Sequence, residues 1–144
     1  MKHNARIERI EPCECEEEGH VIISVGNFSL RCYVLMQKGE LFDNFKVGST
    51  MPVDLWLVFG KWNKIDTKKK LLAKDIKVND GTIYGEVTEI LSEEEKYLRL
   101  ESELTIDVDM ELAKGMPQVG DWIEVSGSYQ VYLVEGPDWA KKTY

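Results

Sequence analysis

The sequence predicts an all-β protein made of two small antiparallel β-barrels in tandem. Three observations carry that expectation: apolar residues recur with a period of two, helix signals are weak throughout, and one order of strands and turns runs twice through the chain. The 144 residues are 43% hydrophobic and 31% charged, which places the chain with globular proteins and excludes a fibrous one. That length suits one ordinary domain or two very small ones of about 70 residues each.

The alternation is strictest where Leu104, Ile106, Val108, Met110 and Leu112 alternate with Thr105, Asp107, Asp109 and Glu111. A strand with one face in the core and one in water is expected there. Phe28, Leu30, Cys32, Val34 and Met36 alternate with Ser29, Arg31, Tyr33, Leu35 and Gln37, and Val53, Leu55, Leu57 and Phe59 alternate with Asp54, Trp56, Val58 and Gly60. The second set turns Phe59 to the core and Trp56 outward, with Tyr33 beside it from the neighbouring strand. Gly26-Asn27 and Glu101-Ser102-Glu103 read as hairpin turns, the first with residues that accept positive φ. The best helical segments, Gly39 to Lys46 and Ala113 to Gln118, are short, and each is closed by a Val-Gly pair.

The repeat appears when the halves are laid over one another. Ala5 to Ile10 matches Gly85 to Ile90, Glu16 to Glu18 matches Glu93 to Glu95, and Val21 and Ile23 match Leu98 and Leu100. Phe28, Leu30, Cys32 and Val34 then match Leu104, Ile106, Val108 and Met110, and Val47-Gly48 matches Val119-Gly120. Beyond that step, Leu55 to Val58 pairs with Val131 to Val134, or the Val53 run pairs with Ile123 and Val125. The order gives units of 1–78 and 79–144 with a break between Lys77 and Gly81. Neither half buries a large core alone, so the two are expected to pack together.

A long first strand, an acidic turn, a hairpin, a loose connection and one or two more strands resembles the OB-fold. The resemblance covers the chain twice at the level of strand order, on Gly85-x-Val87-x-x-Ile90 and the two Val-Gly steps. An SH3-like barrel or one continuous sandwich is the alternative. The second half lacks a distinct fifth strand unless Trp122 to Val125 and Tyr129 to Val134 separate at Gly127.

Catalysis finds little support. The two histidines are His3 near the terminus and His20 at a strand edge, and no phosphate-cradling glycine loop or nucleophile elbow occurs. The glutamate runs sit in turns, where exposed like charges stay solvated and ionised. The chain is therefore expected not to be an enzyme and to need no cofactor. Cys13, Cys15, Cys32 and His20 suggest zinc, but one residue between Cys13 and Cys15 is a poor spacing for a shared ion, and Cys32 sits at a core position. No metal and no disulfide are expected, and three cysteines fit a reducing compartment.

No apolar run approaches the roughly 20 residues of a membrane span, and the first twelve residues alternate charge with apolar side chains where a secretory signal would be continuously apolar. A cytoplasmic protein is expected. The net charge of −8 opposes general adhesion to polyanions. Between Lys61 and Lys77, however, seven lysines face two acids, a local net of +5. Tyr33, Trp56, Lys61, Trp62, Lys64, Lys68, Lys69 and Lys70 combine planar groups with cations, as single-stranded nucleic acid binding requires. In the OB-fold that this chain resembles, the connection between strands four and five grips oligonucleotides, and Lys61 to Lys70 falls in that connection. The leading expectation is a binding module for an extended or anionic macromolecule, such as single-stranded nucleic acid, on the first barrel. The alternative is an acidic protein-interaction adaptor with no nucleic-acid role.

Overall fold

A computed structural model of the protein describes residues 1–12, 18–35, 44–74 and 79–134. Cys13 and Cys15, most of the segment from Gly39 to Lys46, and junction residues 75–78 lie outside the described residues. The described residues form nine strands: β1 (Lys2–Pro12), β2 (Glu18–Val25), β3 (Phe28–Leu35), β4 (Thr50–Lys64), β5 (Leu71–Lys74), β6 (Asp80–Ser92), β7 (Tyr97–Glu101), β8 (Ile106–Asp109) and β9 (Trp122–Leu133). The all-β class is as expected.

The strands belong to one mixed sheet in the order β1-β2-β3-β9-β4-β8-β7-β6-β5, with β1 also bonded to β4 and β9 also bonded to β6. The bonded path therefore closes twice, once through β1, β2, β3, β9 and β4, and once through β4, β8, β7, β6 and β9. Both circuits use β4 and β9, which run antiparallel from Val53 opposite Leu133 to Lys64 opposite Ile123. The parallel contacts, β3 with β9 and β4 with β8, join the first half of the chain to the second. Two tandem barrels, each with its own strands, are therefore not what the pairings form. Even β5 and β6, which flank the expected break, are bonded to one another. One core serves both halves, with Ile7, Ile23, Leu55 and Leu57 in the same cluster as Ile83, Leu100, Val125 and Val131.

The same local set of hydrogen bonds occurs at both ends of the molecule. In β1 the pairing slips after Ile7, and in β6 it slips after Val87. Ile7 N–H donates to Ser49 O and Val87 N–H donates to Asp121 O, both at 2.9 Å, while Gly48 and Gly120 N–H return bonds to Ile7 O and Val87 O, both at 2.8 Å. Gly48 and Gly120 have φ of 85° and 93°, so the two Val-Gly steps are turns that need a residue without Cβ. Met51 sits opposite Ala5 as Ile123 sits opposite Gly85, which matches the Val53 run to Ile123 and Val125.

Several sequence expectations change. The strand around Leu104 to Leu112 is only β8, and Leu112 is 65% exposed. Its polar face is not in water: Asp107 is fully buried and Asp109 nearly so, because charged partners and aromatic rings cover that side. Ala113 to Gln118 is not helical; Gly115 has a φ of 75° and Pro117 lacks the N–H a helix would use. β4 runs on through Lys64, so Trp62 lies in a strand, half-buried against the core, and the connection to β5 is only 65–70.

Leu57 and Tyr129 lie opposite one another where β4 meets β9. The Tyr129 hydroxyl is buried with no hydrogen-bond partner among the described residues, and burial pushes its pKa up. An orphaned buried hydroxyl is destabilising. Tyr129→Phe is accordingly expected to keep the fold and raise the unfolding free energy by up to about 1 kcal/mol in urea titration. A loss of about 1 kcal/mol or more would mean the hydroxyl is satisfied.

Candidate functional site

The expected strip divides into buried, partnered and exposed members. Tyr33 is opposite Gln130 and Gln130 is opposite Trp56, so Tyr33 and Trp56 do share a face of the sheet, with β9 between them. Trp56 is 0% exposed, however, and forms a second apolar cluster with Val58 and Tyr97. Its ring meets Tyr97 edge-on with centroids 5.0 Å apart. Tyr97 belongs to the second half of the chain, so the residue expected to be a stacking platform is an inter-half contact instead. Tyr33 donates from its hydroxyl to Glu18 at 2.5 Å and packs edge-on against His20. Burial, reinforced by Glu18, pushes its pKa up to about 12. Trp62 donates its indole N–H to Gly115 O at 3.3 Å.

The lysines are largely engaged with the second half. Lys64 pairs with Asp121 at 3.4 Å, and the Gln118 N–H with help from Lys64 holds that carboxylate below its ordinary pKa. Lys70 pairs with Glu101 and lies 5.9 Å from the Trp122 ring, while the Lys69 ammonium sits 4.1 Å over the Tyr84 ring. The side chains of Lys61 and Lys68 are exposed and make no hydrogen bond or ion pair to the described residues.

A second polar cluster lies on the Trp56 side of the sheet. Arg99 binds Asp107 through Nε at 2.8 Å and reaches the exposed Glu89 at 3.3 Å. The Met1 ammonium is 2.6 Å from Asp107 and 2.8 Å from Asp54, and donates to Leu55 O at 3.0 Å. The nearby His3 ring bonds Thr105 O at 2.8 Å, and burial lowers its pKa. These charges satisfy one another, so the cluster reads as structural.

An open groove of about 620 Å³ lies on the outward face of β4, β9, β6 and β5. Its floor is made of small residues, and in register Lys61, Ser126, Thr82 and Ala73 form one row across the four strands. Thr82 and Ser126 hydroxyls are 3.0 Å apart, and Ser128 donates to Asp80 at 2.8 Å. Phe59 forms one wall. It is 61% exposed, contrary to the alternation, and has a φ of 57°. The cause is local: the pairing with β9 slips between Val58 and Lys61, and an ideal Cβ on Gly60 would lie 2.7 Å from Met110 Sδ and 3.1 Å from Asp109 O, so a side chain there would have to displace Met110. The bulge turns Phe59 into solvent. In the matching register of the first half, Asp54 and Trp56 stand where Ser126 and Ser128 stand here, so a filled face on one side corresponds to an open one on the other.

Lys61 is the residue of the expected strip that lines this groove; Phe59, Asp80, Thr82, Ser126 and Ser128 were not expected. The available signal was Phe59-Gly60, where the period of two breaks inside an apolar run. Among the described residues no group of three His, Cys, Asp or Glu could hold a metal ion. Cys32 is a buried thiol in the core, and burial pushes its pKa up. No helix of the described residues is long and apolar enough to cross a membrane. No protein-family model, curated protein or solved structure matches the chain.

Proposed function

We propose that this chain is a non-catalytic binding module that takes an extended macromolecular ligand on the outward face of β4, β9, β6 and β5, beside Phe59. The observation that carries the reading is Phe59 itself, an exposed aromatic held in a left-handed conformation at the wall of an open groove. Such a conformation in a bulky residue costs about 1–3 kcal/mol, and strain of this kind gathers at binding sites. The site thus moves from the Tyr33 and Trp56 face to the next part of the same sheet, and it keeps Lys61.

In this reading the fold is a duplicated OB-like unit whose halves lend each other a strand. β9 runs parallel to β3 and antiparallel to β4 in one circuit, and β4 runs parallel to β8 and antiparallel to β9 in the other. The shared strands account for the second half having no fifth strand of its own. The matched bulges and turns of the two ends support the duplication.

The pairing of Lys64 and Lys70 with acids weakens the case for an anionic ligand and favours, as a second reading, an adaptor that meets a basic partner on its acidic surface. Phe59→Gly separates them. It is expected to raise stability by about 1 kcal/mol, because glycine adopts positive φ freely, while weakening ligand binding by at least about tenfold. Equilibrium binding of dT12, neutral oligosaccharides and a polylysine peptide to both proteins checks this. Binding that is indifferent to Phe59→Gly would overturn the assignment, and binding of polylysine alone would favour the adaptor.

A further inference from the structure

We propose that the ligand of the Phe59 face is an uncharged polysaccharide chain. The inference rests on the binding-module reading and specifies its ligand. Electrostatics is the first argument. Lys61 and Asp80 are the two charged residues lining the groove, and they are of opposite sign. A phosphate placed there gains from Lys61 what it loses to Asp80, and the lysines beyond the groove are screened within about 8 Å at physiological salt. Lys64 and Lys70 are in any case neutralised by Asp121 and Glu101.

Hydrogen-bonding capacity is the second. Thr82, Ser126 and Ser128 present three hydroxyls on adjacent strands, next to the Asp80 carboxylate. Each hydroxyl has one donor and two acceptor positions, and the Thr82–Ser126 and Ser128–Asp80 bonds use only part of that set. The remainder calls for a ligand whose groups both donate and accept. Sugar hydroxyls do both, whereas phosphate oxygens only accept.

The third argument is shape. Phe59 offers a flat apolar surface with a negative π face, which suits the polarised C–H face of a pyranose ring. The short side chains of Ala73, Thr82, Ser126 and Ser128 keep the floor low, and the groove is open along its length. A peptide gains no backbone pairing over the centre of the floor, because β6 lies between β5 and β9 and β9 lies between β6 and β4; the free strand edge is the outer side of the four-residue β5, at the groove's margin.

The test is calorimetric titration of the whole chain with cellohexaose, maltohexaose, mannohexaose and chitohexaose, with dT12 alongside. At least one hexasaccharide is expected to bind, with affinity changing less than about twofold between about 50 and 500 mM NaCl, since no counterions are released. Phe59→Ala should weaken it at least about tenfold, and Asp80→Asn should weaken it severalfold. Both sites are on the surface, and a melting curve confirms that each variant is folded. Binding of dT12 with a steep salt dependence and loss in Phe59→Ala would overturn the polysaccharide inference and leave the binding module standing. Hexasaccharide binding that survives Phe59→Ala would overturn both, and failure of all four hexasaccharides would overturn the inference.

Discussion

Gly127→Ala is expected to be among the most damaging single-methyl additions to this protein. A Cβ at residue 127 would sit 2.4 Å from the Val58 carbonyl oxygen and 3.1 Å from Leu57 Cγ. The first of these is backbone of the facing strand, so β4 and β9 would have to separate where both circuits share them. Overpacking that a side chain can relieve costs about 1–3 kcal/mol, and this clash lies at or beyond the top of that range. A fall in melting temperature of about 10 °C is the expected readout. Gly48→Ala is the control: nothing lies within 4 Å of its ideal Cβ, so only the positive φ opposes it, at about 1 kcal/mol. Equal losses for the two would mean that the β4–β9 approach is looser than described.

Asp107→Ala should be comparably severe. Asp107 is buried and holds both Arg99 and the Met1 ammonium. Removing one partner of a buried ion pair costs about 3–5 kcal/mol, and because Arg99 keeps Glu89 and the Met1 ammonium keeps Asp54, the loss is expected at the low end of that range. Glu89→Ala removes another partner of the same Arg99, but at an exposed position where such pairs contribute about 0–1 kcal/mol. Denaturant unfolding should therefore separate the two by several kcal/mol. Near-equal values would place the Arg99 charge in water.

The strands were legible because a half-buried strand writes period two into the sequence. Ala5, Ile7, Val21, Ile23, Leu30, Cys32, Leu98, Leu100, Ile106 and Val108 all lie in the core as their alternation implies. The aspartates of β8 were misread because alternation shows that they face away from the core and not what covers them. Arg99 covers Asp107 from the neighbouring strand β7, while the Met1 ammonium and Trp56, which is opposite Asp107 in register, come from parts of the chain distant in sequence. Trp56 was placed on the correct side for the same reason and with the wrong exposure.

The sharing of β4 and β9 was hidden for a different reason. A strand's pattern specifies its faces, whereas its edge partners are chosen by non-local pairing. β4 alternates in the same way whether it is bonded to its own half or to β8 and β9. The groove was hidden by the bulge. One inserted residue reverses the facing of the residues after it, so Phe59 reads as core from Val53 onward and Trp62 reads as a loop residue. Small residues such as Ser126, Gly127 and Ser128 carry no motif, and they line one groove with Thr82 and Asp80 only because those residues lie opposite them.

Amide chemical-shift mapping of the isotope-labelled chain during titration with the hexasaccharide panel and dT12 locates the bound ligand directly. Saturable shifts are expected to centre on Phe59, Lys61, Ala73, Gly81, Thr82 and Ser126 to Ser128, with Tyr33, Lys68 and the β2–β3 turn unmoved. Shifts centred on Tyr33, His20 and Lys68 to Lys70, with the Phe59 groove silent, would contradict that placement of the ligand.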